Sequence, residues 1–117
     1  MNVKEYLIKD QGFNVCESST INSTKGCSWS LYRRTNINTD KFCLTNDNKP
    51  QIGIYYYEFE VGGHIHTSYE VEIVQENNIS WINFSCYGLS ETDMLNNFDR
   101  IEQSLIRAWE ASWEESK

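Results

Sequence analysis

Residues 52–87 read IGIYYYEFEVGGHIHTSYEVEIVQENNISWINFSCY, and how this stretch turns back on itself decides the fold. It contains three runs rich in β-branched and aromatic residues, separated at Gly62-Gly63 and Asn77-Asn78. A three-residue loop Gly62-Gly63-His64 would set Val61 opposite Ile65, Tyr57 opposite Tyr69 and Tyr55 opposite Val71. A two-residue loop would set Val61 opposite His64 and Tyr55 opposite Glu70, mixing apolar and charged positions. One residue of slip moves a whole strand's side chains to the other face, so the three-residue loop is the expected register. A two-residue turn at Asn77-Asn78 then pairs Ile73 with Ile82, Val71 with Phe84 and Tyr69 with Cys86. One face of this meander is apolar. The other gathers Glu58, Glu60, Glu70 and Glu72.

Working outward, the remaining elements are simpler. Val3 to Lys9 suits a short helix, with Val3, Tyr6 and Leu7 on one side and Gly12 beyond its end. Residues 17–25 are polar, rich in Ser and Thr, and read as a loop. Trp29 and Leu31 mark one short strand, Phe42 and Leu44 another, with residues 35–40 as the loop between them. The turn signal at residues 46–50 leads into the long strand near Gln51. After Ser90, a good N-cap with Glu91 and Asp93 in the first turn, Met94, Phe98, Ile101, Leu105, Ala108 and Trp109 recur at helical spacing. Leu89 is placed to staple onto Met94. The expected fold is α+β in two layers over a single domain, residues 1–117. A meander of about five antiparallel strands carries the long C-terminal helix on one face, and a short helix precedes it.

Composition limits the function. The 117 residues are 39% hydrophobic and 14% aromatic, enough for one ordinary core. A net charge of -7, from 17 acidic and 10 basic residues, disfavours nucleic acid and anionic membranes as direct partners. No run approaches the length of apolar sequence that spans a bilayer, and Lys4, Glu5, Lys9 and Asp10 interrupt any signal-peptide core. A cytoplasmic location is therefore expected. Cys16, Cys27, Cys43 and Cys86 have no metal-site spacing and are expected as reduced thiols, Cys86 within the core. In a secreted chain they would allow three pairings. The Asn-x-Ser/Thr triplets at Asn22, Asn78 and Asn83 are common in so Asn- and Ser-rich a chain and would go unused in the cytoplasm.

His64 and His66 with Glu60 have the residue types of a three-ligand metal site, but His64 belongs to the expected loop, so no metal is assigned. No Gly-x-Ser-x-Gly is present, nor a glycine-rich loop opening a helix. Glu58 and Glu70 lie on an open sheet face, which lacks the cleft that acid/base pairs need. No catalytic residue and no cofactor are assigned, and the chain is read as a non-enzyme.

The acidic face is the stronger lead, although a solvated outer face is the ordinary fate of such a surface. Glu58, Glu60, Glu70 and Glu72 would meet a cationic groove, while Tyr56 and Trp81 supply apolar anchorage. The expected function is a small acidic inhibitor that occludes a basic, nucleic-acid-binding protein. An anti-CRISPR-like protein of a mobile element, or a toxin-immunity protein, would fit that description. The alternative is a nucleotide-sequestering protein in which Arg33, Arg34, Arg100 and Arg107 clamp phosphate. On the last helix Glu102 and Glu110 are the expected partners of Arg100 and Arg107. A dimeric, secretion-chaperone-like adaptor, joined through Trp109 and Trp113, is a third reading.

Overall fold

Gly62 and Gly63 adopt φ values of 59° and 82°, the pair of left-handed conformations that a type I′ hairpin needs. In the computed structural model, which describes residues 2–35, 37, 49–76 and 81–115, they form a two-residue connection. Strand β3 (Gln51–Val61) therefore pairs with β4 (His64–Glu76) so that Val61 faces His64 and Tyr55 faces Glu70. The expected three-residue loop is overturned. The type I′ turn twists in the same sense as the strands it joins, and its two glycines adopt positive φ without strain.

The consequence runs along the whole hairpin. Ile52, Ile54 and Tyr56 share a face with Ile73, Val71 and Tyr69, and Ile54 is fully buried rather than outward. Tyr55 and Tyr57 move to the opposite face with Glu70 and Glu72. The first half of β3 is apolar on both sides, so alternation alone does not orient it. The aliphatic residues take the core and the tyrosines, each with a polar tip, take the other side.

Strand β5 (Trp81–Leu89) pairs with β4 through Ile73–Phe84 and Val71–Cys86, two residues from the expected register. The connection spans residues 77–80, so the expected Asn77-Asn78 turn lies outside the described residues. An even shift preserves the faces, and Phe84 and Cys86 still belong to the apolar one. A bulge at Tyr87-Gly88, with Gly88 at φ 67°, separates Val71–Cys86 from Tyr69–Leu89.

Strand β2 (Trp29–Arg34) lies on the other side of β3, and the two-residue β1 (Asn14–Val15) completes the order β1-β2-β3-β4-β5, antiparallel throughout. The fifth strand is thus β1. The strand expected around Phe42 and Leu44 lies outside the described residues.

Three helices cover the apolar face. Helix α1 (Val3–Lys9) starts at Asn2, whose side chain accepts from the Glu5 amide, and it buries Val3 and Leu7. Ser90 and Asp93 form a reciprocal capping box at α3 (Glu91–Asn96). The expected single C-terminal helix is broken at Asn97, and α4 (Phe98–Glu115) continues the apolar stripe beyond it. Met94, Phe98, Leu105, Ile106 and Trp109 are buried, while Ile101 packs at the margin. The Trp109 indole donates to Gln75 Oε1 (3.1 Å), fixing α4 against β4.

The second face carries a helix where the sequence suggested a loop. Helix α2 (Ser19–Lys25) is capped by Ser18, whose Oγ accepts from the Ile21 amide, and ends at Gly26 in the left-handed conformation. No side chain of α2 is buried. What holds it lies at the site below.

Candidate functional site

The four carboxylates expected on one surface are divided between two. Glu70 and Glu72 project from the face beneath α2, where they are 1% and 6% exposed. Lys25, the last residue of α2, places its ammonium 3.4 Å from Glu70 Oε2 and 3.4 Å from Glu72 Oε2. The Tyr57 hydroxyl donates to Glu70 Oε1 at 2.7 Å, and the Tyr55 hydroxyl donates to Glu72 Oε1 at 3.2 Å. Asn83 and Ser85 of β5 add donors to Glu72 Oε2 at 3.2 and 3.4 Å. Buried carboxylates persist only when their lone pairs are met by donors, and here they are.

Lys25 also lies over the Tyr55 ring, 4.6 Å from its centroid. The Tyr55 ring lies over Gly53, where a Cβ would stand 3.0 Å from its hydroxyl oxygen and push the ring aside by a few tenths of an ångström. Partial burial by itself lowers the Lys25 pKa, but the charges of Glu72 and Glu70 outweigh it and hold the ammonium above its ordinary value. Burial, reinforced by Glu72, likewise raises Tyr55, and burial with the hydrogen bond to Glu70 raises Tyr57. Glu70 and Glu72 are therefore structural anchors for α2, and their expected place on an open partner-binding face is corrected.

Glu58 and Glu60 occupy a different setting. The last β2–β3 pair is Trp29–Tyr56 and the last β4–β5 pair is Tyr69–Leu89, so both neighbours stop at the same level. Beyond it, among the described residues, β3 and β4 continue without a further paired strand to the Gly62-Gly63 turn. At about 3.3 Å per residue, the five residues on each side make an arm roughly 15 Å long. Glu58 and Glu60 are exposed on the arm's core-side face, together with Ile65 (73% exposed). Phe59 (49%) and Val61 (57%) are on its other face, where the Phe59 ring stacks on His66 at 5.6 Å.

Tyr56 stands at the root of the arm. Its ring stacks on Trp29 (5.1 Å) and leans on Tyr69 (4.9 Å), and its hydroxyl donates to Glu58 Oε1 at 2.8 Å. Burial and Glu58 push its pKa up to about 12. Trp81 pairs with Glu76 at the far end of β4 from the arm, and its side chain lies outside the described residues. Of the six expected contact residues, Tyr56, Glu58 and Glu60 come together at the arm, while Glu70 and Glu72 meet on the opposite face.

The arginine clamp does not assemble either. Arg33 is spent inside the fold, with Nη1 and Nη2 donating to the two Glu102 oxygens at 2.6 and 2.8 Å. Its Nε donates to the Gln11 carbonyl at 2.6 Å, and its guanidinium covers the Phe13 ring. Glu102, expected to partner a helix arginine, is thereby taken. Arg34 points from the other face of β2 and donates to the Lys49 carbonyl, while Arg107 donates to Ser104 one turn away. Arg100 is exposed on α4.

Trp109 is fully buried and offers no dimer contact, and the Trp113 side chain lies outside the described residues. His64 and His66 project from the face opposite Glu60. Among the described residues no three His, Cys, Asp or Glu side chains form a metal-binding group, and no helix is long and apolar enough to cross a membrane. Cys16, Cys27 and Cys86 are free thiols, with Cys86 at the core's edge rather than within it.

Two features escaped sequence reasoning. Lys25 became the centre of an ion cluster with residues 45 and 47 positions away, and no local pattern announces such a contact. The Ser18–Gly26 bracket around residues 19–25 was a legible helix signal. The projecting arm follows from strands of 11 and 13 residues flanked by shorter neighbours. No protein-family model, curated protein or solved structure matches the chain.

Proposed function

We propose that this chain is a small, acidic, non-enzymatic binding protein that inhibits a basic, nucleic-acid-binding protein by inserting the β3–β4 arm into its cationic groove. An anti-CRISPR-like protein of a mobile element, or an immunity protein acting on a toxin, works at this level of description. The observation that carries the reading is the arm itself. An isolated two-stranded ribbon is marginal in water, yet this one displays Phe59, Val61 and Ile65 to solvent beside the exposed carboxylates of Glu58 and Glu60, neither of which meets a cation among the described residues. Apolar anchors flanked by negative charge suit a groove built for nucleic acid, whose walls are cationic and whose floor accepts flat rings.

The mechanism divides the work between two sets of residues. Glu58 and Glu60, with a net charge of -7 behind them, accelerate encounter, and such steering raises association rates by about 10 to 10³-fold at low salt. Phe59, Val61 and Ile65 are desolvated on docking and set the lifetime of the complex. Glu70 and Glu72 contribute by holding the second face in place rather than by contact. The nucleotide-clamp alternative loses Arg33 to Glu102.

The test is a pull-down from bacterial lysate at low and high salt, comparing the natural chain with Glu58→Gln/Glu60→Gln and with Phe59→Ser/Ile65→Ser. Captured proteins should be basic, should be displaced by duplex DNA or RNA, and should be lost with either double variant. Equal capture by all three chains would sink the reading.

A further inference from the structure

Cys16 and Cys27 bracket α2, and the fold brings both to one place. The Cys16 amide donates to the Ser30 carbonyl at 3.0 Å, continuing the β1–β2 pairing and setting Cys16 opposite Ser30. Side chains opposite one another on antiparallel strands stand about 5 Å apart at Cβ and point to the same face. Here that is the face beneath α2. From the other end of the helix, the Cys27 thiol donates to Asn22 Oδ1 at 3.6 Å, and the Ser30 hydroxyl donates to the same oxygen at 2.8 Å. Both thiols therefore border Ser30, one from each end of the segment that contains α2.

From this geometry we propose that Cys16 and Cys27 are a reversible redox pair whose disulfide locks α2 onto the second face of the sheet. The chemistry is thiol–disulfide exchange with a low-molecular-weight disulfide such as oxidised glutathione. One thiolate attacks it, forming a mixed disulfide and releasing one reduced thiol. The second thiolate then attacks the protein sulfur, closing Cys16–Cys27 and releasing the other. Two protein thiols are oxidised, one external disulfide is reduced to two thiols, and both protons go to the departing thiolates.

The physical effect falls on α2 for a definite reason. This helix buries no side chain and is held by its caps, Asn22 and the Lys25 ion pairs. Closing the loop around it removes open states from its ensemble without requiring a new packed surface. Oxidation would thus fasten Lys25 over Glu70 and Glu72, and reduction would leave the helix free to lift. Burial pushes the Cys27 thiol above its ordinary range, so closure through its thiolate quickens as pH rises.

The experiment uses the full chain, incubated with oxidised glutathione and then mapped by digestion and mass spectrometry without reduction. Support is the loss of two hydrogens per chain, a peptide pair joined through Cys16 and Cys27, and closure retained in Cys43→Ser and Cys86→Ser. Amide exchange across residues 19–25 should slow by about tenfold or more in the oxidised form. Cys16→Ser and Cys27→Ser should each stop the change. Glutathione left attached at either cysteine, bridging through Cys43 or Cys86, or unchanged exchange in α2 would overturn the proposal.

Discussion

Glu58 and Glu72 lie on opposite faces of the sheet, because Val61 faces His64 across a two-residue turn. That one relationship separates an exposed pair of carboxylates from a buried pair. It also assigns them different physics, since charge in water steers a partner at little cost and charge in the fold needs a counter-charge and donors. Lys25, Tyr55 and Tyr57 exist in that second role.

Lys25→Met should therefore destabilise the protein although it touches no apolar core. Two nearly buried carboxylates would lose their ammonium, an effect of about 1–3 kcal/mol. Adding Glu70→Gln to Lys25→Met should restore part of the loss, since a neutral amide tolerates the site better than a second unpaired charge. Urea unfolding of the two single variants and the pair measures the coupling, and strict additivity would show that Lys25 does not serve Glu70.

Alkaline stability follows from tyrosines on both faces, Tyr55 and Tyr57 beside Lys25 and Tyr56 and Tyr69 at the root of the arm. Tyr55, Tyr56, Tyr57 and Tyr69 all have raised pKa values, burial being the first cause in each. A raised folded pKa means that the neutral phenol is favoured by folding, so this stability is intact below the unfolded value of 10.0 and is lost as pH climbs above it. Lys25 acts with the same sign, its contribution being full below 10.5 and fading above. Tyrosinate absorbance should show these four tyrosines titrating late in the native protein and at about 10 in urea. Tyr57→Phe should remove one from the late group.

Arg33→Met should be among the most damaging polar substitutions. The guanidinium joins β2, α4 and the turn after α1 through Glu102 and the Gln11 carbonyl, and removing it leaves Glu102, 8% exposed, without its partner. Breaking one side of a buried pair costs about 3–5 kcal/mol. Arg33→Lys should recover little, because one ammonium does not reproduce the planar fork that meets both carboxylate oxygens. Glu102→Gln in the Arg33→Met background should recover more. Thermal unfolding midpoints rank the three.

The sequence disclosed the elements whose alternation is clean and misled where side chains are amphipathic. Tyr69, Val71 and Ile73 alternate with Glu70 and Glu72, so the inward set of β4 was legible, as was the Met94–Phe98–Leu105–Trp109 stripe. In β3, three consecutive tyrosines sit beside Ile52 and Ile54, and a tyrosine satisfies either face. The choice passed to the turn, where two-residue and three-residue loops differ by less than the pattern could resolve. Helix α2 has one apolar residue, Ile21, and depends on contacts remote in sequence, so its composition resembled a loop. The expected acidic site failed as a unit because it inherited the hairpin register.

The register itself is open to direct test at the turn. Gly62→Asn should preserve or slightly raise stability, within about 1 kcal/mol, because Asn-Gly is the favoured type I′ pair and Asn narrows the unfolded ensemble. Gly63→Val places a β-branched residue at φ 82° and should cost more than about 1 kcal/mol. Cross-strand nuclear Overhauser contacts in the natural chain should join Glu58 to Thr67 and Glu60 to Ile65. Contacts from Glu58 to Ser68 and Glu60 to His66 would instead signal the three-residue loop and return all four carboxylates to one face. Inserting a third glycine between Gly62 and Gly63 forces that choice. The paired body from Gln51 to Tyr56 should hold its register through Ile52, Ile54 and the Tyr56–Trp29 stack, so the extra residue should be absorbed as a bulge within the arm, where no buried side chain opposes it.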